Sequence, residues 1–253
     1  MKRILLLLLS CCCGLVLRAQ ETGAGESWQL DLRLGYSLGG TTPIGLPASI
    51  RSLDKFTLQP NVQVGADVQR DLWGRWGLTA GLRFEGKHMQ TDATVRGYYT
   101  EMVRGGQSLD GHFTGHVHTR VRQWMLTVPL ALTMRAGSRV TLHAGPYVSW
   151  LLSRDFSGYA YDGYLRVGDP TGAKVLMGSE PDSRGEYEFG DDMRRLQLGL
   201  DAGLTCNVTP AWGAYASLAW GLTGIHRSGF TSVRQTMYPI YGTVGLTYRL
   251  RHK

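Results

Sequence analysis

The chain has 253 residues, a formal net charge of +7, 43% hydrophobic residues and 34 glycines. Its basic residues are scattered, with no cluster to track a phosphate backbone, so the composition excludes a nucleic-acid partner. After residue 17 no apolar run approaches the length of a spanning helix, so any membrane crossing has to be made by strands.

The N-terminus reads as a secretory signal over residues 1–19. Lys2 and Arg3 precede an apolar run from Ile4 to Leu17, and Ala19 precedes the cleavage point. A lipoprotein reading, with Cys11 as the lipidated residue, is a rival. Cleavage after Ala19 lowers the net charge from +7 to +4 and leaves Cys206 as the sole cysteine, so no internal disulfide forms. Residues 20–253 then make one domain.

From there the chain alternates apolar and polar residues in eight stretches, a period of two that places successive side chains on opposite faces of a strand. The first covers 28–38, with Trp28, Leu30, Leu32, Leu34, Tyr36 and Leu38 on one face. The second covers 56–69, and a short turn leads to the third at 76–85. The fourth covers 123–134, the fifth 140–150, the sixth 195–206 and the seventh 214–223. In the last, Ile240, Gly242, Val244, Leu246, Tyr248 and Leu250 oppose Tyr241, Thr243, Gly245, Thr247, Arg249 and Arg251. Pro129 and Pro146 fall inside strands, where each removes a ladder donor and requires a bulge or a broken ladder.

Alternation fits a soluble barrel with an apolar interior and a membrane barrel with an apolar exterior. Three features favour the membrane. The polar face mixes Gly35, Gly81, Gly199 and Gly245 with charges of both signs, which suits a cramped interior. Trp28, Trp76, Trp124, Trp150, Trp212, Tyr238 and Tyr248 fall near strand ends, as interfacial girdles do. The connections at 39–55, 89–121, 153–193 and 224–237 are long and the other three short, as expected for outer loops and periplasmic turns. The expected fold is all-β: an eight-stranded antiparallel up-and-down transmembrane barrel, both termini in the periplasm.

Several pieces in order resemble the PorT-like family of outer-membrane barrels of Bacteroidota. They include Gly39-Gly40-Thr41-Thr42-Pro43, Trp76-Gly77-Leu78, Leu126-Thr127-Val128-Pro129-Leu130, Gly145-Pro146-Tyr147-Val148-Ser149, and Met237-Tyr238-Pro239-Ile240-Tyr241-Gly242. The resemblance implies the fold and a Gram-negative outer-membrane address; it carries over no catalytic or binding residues. Thr243, Gly245, Tyr248 and Leu250 also resemble the C-terminal signal read by the barrel assembly machinery, with Leu250 where a terminal aromatic is usual.

Chemistry is sparse. Asp31, Arg33, Asp67, Arg83, Glu85, Arg195, Asp201 and Arg249 are expected inside as a paired charge plug, since a buried charge is costly unless matched. His112, His116 and His118 are the weak candidates for a metal, and a polar surface loop is the favoured reading of them. His143 and Ser149 share a strand face but stand roughly 20 Å apart, too far to act together. No cofactor is implied. The expected role is non-enzymatic, with outer-membrane lipid around the barrel and long loops offered to an unidentified envelope or surface partner. A narrow channel and a soluble periplasmic binding barrel are the alternatives.

Overall fold

A computed structural model describes residues 28–45, 47–233 and 235–250. The signal segment and Arg251 lie outside the described residues. The strands are β1 (Trp28–Pro43), β2 (Ile50–Thr57), β3 (Val62–Trp73), β4 (Trp76–Arg104), β5 (Gln107–Arg135), β6 (Val140–Val167), β7 (Lys174–Met177), β8 (Gly185–Glu188), β9 (Leu196–Asn207), β10 (Trp212–Gly221) and β11 (Met237–Leu250).

Eight of them close a ring in the order β1, β3, β4, β5, β6, β9, β10, β11, every pair antiparallel. The seam is β1 against β11, running from Leu30 opposite Leu250 to Pro43 opposite Met237. Closure matters because an open edge in lipid leaves backbone groups without partners.

The alternating pattern decides the faces as expected. Leu34, Val64, Leu82, Leu130, Val148, Leu198, Leu218 and Val244 point outward and are exposed. Arg33, Gln63, Arg83, Thr127, Ser149, Gln197, Ser217 and Thr243 point inward and are buried. An exposed apolar belt of this extent around a polar interior is a lipid-facing surface, which sets the soluble-barrel alternative aside.

Both prolines interrupt their ladders without shifting them. Pairing of β4 with β5 lapses between Ala80–Leu130 and Arg83–Thr127, beside Pro129. Pairing of β5 with β6 lapses between Pro129–Tyr147 and Leu132–Ala144, beside Pro146. The register is the same on either side of each gap. Neighbouring strands hold it, so a locally broken ladder suffices.

The long connections are where the expectation needs correcting. Residues 89–121 are not a loop: β4 and β5 run on through them, 29 residues each, as one hairpin turning at Gly105-Gly106. β6 continues for 28 residues. Above the level where β3 leaves β4, β2 takes that edge; above β9, β8 and β7 take the free edge of β6. A β-structured extension therefore stands on the outer end of the barrel.

Inside the extension the polarity inverts. The inward column of β5 reads Thr127, Met125, Gln123, Val121, Thr119, Val117, Gly115, Phe113 going outward, changing from polar to mainly apolar while keeping one face. Its partners are Met89, Val95 and Met102 of β4 and Leu151, Phe156, Ala160 and Leu165 of β6. Met177, Tyr187, Phe189, Met193, Ile225 and Val233 from the remaining segments complete this core. Water surrounds the extension, so its apolar side chains turn inward as in a soluble domain. Three irregularities re-aim β4 and β6 against β5: a register shift at Arg96-Gly97, one at Leu152, and one at Asp162-Gly163, where Asp162 has φ 47°.

His226 lies in this core, stacked on Phe230 at 4.2 Å between ring centroids and edge-on to Phe156 at 5.0 Å. Its Nε2 is buried without a hydrogen-bond partner. Burial lowers its pKa to about 4, with Asp192 opposing the shift. The unfolded imidazole titrates near 6.5, so between those values the unfolded segment binds more protons. The extension should therefore lose stability as pH falls from 6.5 to 4. Amide hydrogen exchange of residues 187–230 at pH 7 and pH 4.5 tests this, and His226→Phe should remove the difference.

Candidate functional site

The barrel interior is the first place where chemistry gathers. β1 and β3 bring Arg33 Nη1 to 2.6 Å from Asp67 Oδ2. Arg83 of β4 bridges Asp67 and Asp201 of β9, each at 3.3 Å. His143 Nε2 of β6 lies 3.2 Å from Asp201. One step outward, Glu85 meets Lys87 at 3.6 Å, accepts from Gln63 at 3.0 Å, and accepts from Thr127. Three cations, Arg33, Arg83 and Lys87, thus face three carboxylates, Asp67, Glu85 and Asp201, all buried. Charges matched in this way can remain in an interior where unpaired ones could not.

Aromatic rings fill the space that the glycines leave. Arg33 stacks over Tyr215 at 3.9 Å, and Lys87 lies over Tyr147 at 5.2 Å. A Cβ at Gly35 would fall on the Tyr215 hydroxyl, and one at Gly199 would fall on the Tyr147 ring. These two glycines admit tyrosines across the lumen.

Most of the expected plug is brought together. Asp67, Arg83, Glu85, Asp201 and Arg33 form it. Asp31 and Arg249 pair at 3.0 Å at its periplasmic mouth, where a small vestibule opens between Asp31, Thr133, His143 and Arg249. Arg195 is the exception. It precedes β9 and is exposed, because the ring strand begins at Leu196 and only from there does alternation dictate an inward face. Lys87, Gln63 and Tyr215 were missed; each continues the inward parity of its strand, a signal present in the sequence. His143 holds Asp201 while Ser149 pairs with Thr127 at 2.7 Å, so the two share no chemistry.

The histidines lie on the outer face of the extension. His118 Nδ1 donates to Asp92 at 2.6 Å. His116 Nδ1 contacts Thr94 at 3.2 Å and stands 3.8 Å from Asp54, and His112 contacts the Gly97 carbonyl at 3.2 Å. Each ring is thus held by its own cross-strand partner. Among the described residues no three ligating side chains converge on one point.

At the other end of β11, Thr243 pairs inward with Ser37 at 2.8 Å, Gly245 packs on Tyr215, and Tyr248 and Leu250 face lipid, Tyr248 against Trp212 at 4.9 Å.

The closed ring, the lipid belt and the short-turn end together describe an outer-membrane barrel. A family model for the outer membrane protein beta-barrel domain matches residues 18–227. The chain belongs to that family. Solved members of this general architecture align over most of their length. Ail of Yersinia pestis, described as its attachment invasion locus protein, is 12% identical, with 90% of this chain and 100% of that chain covered and a TM-score of 0.38. OprG of Pseudomonas aeruginosa is 13% identical, covering 90% and 99%, TM-score 0.39. CarO2 of Acinetobacter baumannii is 10% identical, covering 88% and 98%, TM-score 0.42. No curated protein matches the sequence. Family membership places the chain in a Gram-negative outer membrane.

Proposed function

We propose that this barrel is a non-enzymatic platform that carries its β-structured extension above the outer leaflet for contact with an envelope or surface partner. The observation that carries the reading is a lumen filled twice over. A matched charge layer crosses it at Arg33, Asp67, Arg83, Glu85, Lys87 and Asp201, and an apolar core from Met125 to Phe113 stands above that layer. A pore needs a continuous aqueous path, and eight strands leave little room for one. The sequence pieces resembling PorT-like barrels support a Bacteroidota setting. The C-terminal strand, with Tyr248 and Leu250 on lipid, is the segment the assembly machinery would read.

Planar-bilayer recording on the folded protein tests the platform reading. No discrete conductance is expected from the full chain. A steady single-channel level that changes with Arg83→Ala would overturn it in favour of a narrow channel.

A further inference from the structure

The outer face of β5 carries a vertical series that the platform reading does not use. Leu126 and Trp124 lie half-buried on the outward face, with Phe84 of β4 stacked on Trp124 at 5.1 Å and His88 edge-on to it at 4.9 Å. The next outward residues on the same face are Arg122 and Arg120, then His118 and His116. Strand rise puts the two arginines about 7 and 14 Å along the strand from Trp124. With barrel tilt this becomes roughly 5 and 10 Å of height, the head-group zone just outside the hydrocarbon.

Their partners are unequal. Arg122 is exposed and leans on Asp155 of β6 at 3.5 Å. Arg120 sits in register between Gln90 and Ser157, both uncharged, and among the described residues it has no ion pair. Its Nε is buried without a hydrogen-bond partner. A half-buried guanidinium without an anion is a site waiting for one.

Immediately above, the face turns aromatic. His118 stacks on Tyr159 of β6 at 4.9 Å and 18°, Tyr161 lies 5.5 Å from Tyr159, and Arg184 covers the far side of Tyr159 at 4.2 Å. Asp92 is committed to His118, Asp54 to Ser52 and Thr94, and Glu186 to Arg184, while Glu188 stands exposed opposite Ser157, one strand further from Arg120.

We propose that this face binds a phosphorylated glycolipid of the outer leaflet. Its acyl chains lie on Phe84, Trp124 and Leu126. Its phosphate bridges Arg120 and Arg122, and its sugar rings lie against Tyr161, beside the Tyr159 ring that His118 and Arg184 already cover. The order of apolar, cationic and aromatic surface on one strand face is the order of acyl chain, phosphate and sugar in such a lipid. Phosphate accepts bidentate bonds from guanidinium, which a zwitterionic head group beside its own ammonium offers less freely.

The test is native mass spectrometry of the full chain in detergent after incubation with diphosphoryl lipid A, with its enzymatically dephosphorylated form, or with neither. Retained lipid A on the wild type, at least tenfold less on R120A/R122A, and no retention of the dephosphorylated form are expected. Equal retention by the double variant, or of the dephosphorylated lipid, overturns the proposal. Displacement of the lipid by millimolar inorganic phosphate alone would assign the site to free phosphate and overturn the lipid source. R135A/R139A at the periplasmic turn should retain lipid as the wild type does; loss there too would reduce the effect to bulk charge. If R120A/R122A does not fold, R120Q and the dephosphorylated-lipid arm on the wild type decide.

Discussion

Arg83→Leu should cost the barrel roughly 3–5 kcal/mol, the penalty typical of removing one member of a buried charge network. Among the described residues Arg83 is the one cation paired with both Asp67 and Asp201, at 3.3 Å each. Leucine fills much of its volume but leaves two buried carboxylates sharing Arg33 and His143. Asp67 Oδ1 already lacks a partner, and the spare donors left in the network, Arg33 Nε and Nη2, belong to a cation already held by Asp67. The urea midpoint of the refolded barrel should fall accordingly, and a smaller fraction should migrate as the compact, unboiled form. Adding Asp201→Asn should recover part of the loss, since it removes one orphaned charge. A single variant within 1 kcal/mol of wild type would mean that the charges are solvated and that the lumen is wet. No conductance should accompany the loss, because Val121, Met125 and Phe113 close the lumen above independently of the charges.

The membrane half of this architecture was legible because lipid enforces strict alternation. From Leu126 to Met134, or from Leu196 to Cys206, every second residue must be apolar, and the charges that interrupt the pattern fall on the inner face by parity alone. The partnering of Asp67 with both Arg33 and Arg83 was not legible, since it depends on three strands meeting across the lumen. The extension was misread as loops for a physical reason. Above the membrane the solvent on the outside changes from lipid to water, so the apolar face changes sides. Val117, Val121 and Met125 occupy the parity that carries Thr127 and Thr133 below. The shifts at Arg96-Gly97, Leu152 and Asp162-Gly163 then move the parity of β4 and β6 by one, which erases the period-two signal over any long window. Polar stretches such as His112 to His118 therefore look like loop while lying in a continuous strand.

That two-solvent architecture makes a sharp expectation for Phe113→Ala. Phe113 is fully buried on β5 among Met102, Leu165 and their neighbours in the apolar core, beyond Trp124, the last apolar residue on the outward face of that strand. Truncating a buried phenylalanine costs roughly 3–5 kcal/mol through lost transfer energy and the cavity left behind. The cost should fall on the extension. Limited proteolysis of folded protein should show new cleavage within residues 89–121 and 153–193. The barrel below should keep its boiled-versus-unboiled gel shift, because its closure rests on the β1–β11 seam and the charge layer, neither of which Phe113 touches. Loss of the gel shift together with protease resistance would show that the extension and the barrel unfold as one unit. Unchanged resistance at both levels would mean that the apolar inner face does not hold the extension together, and the platform reading would lose its folded platform.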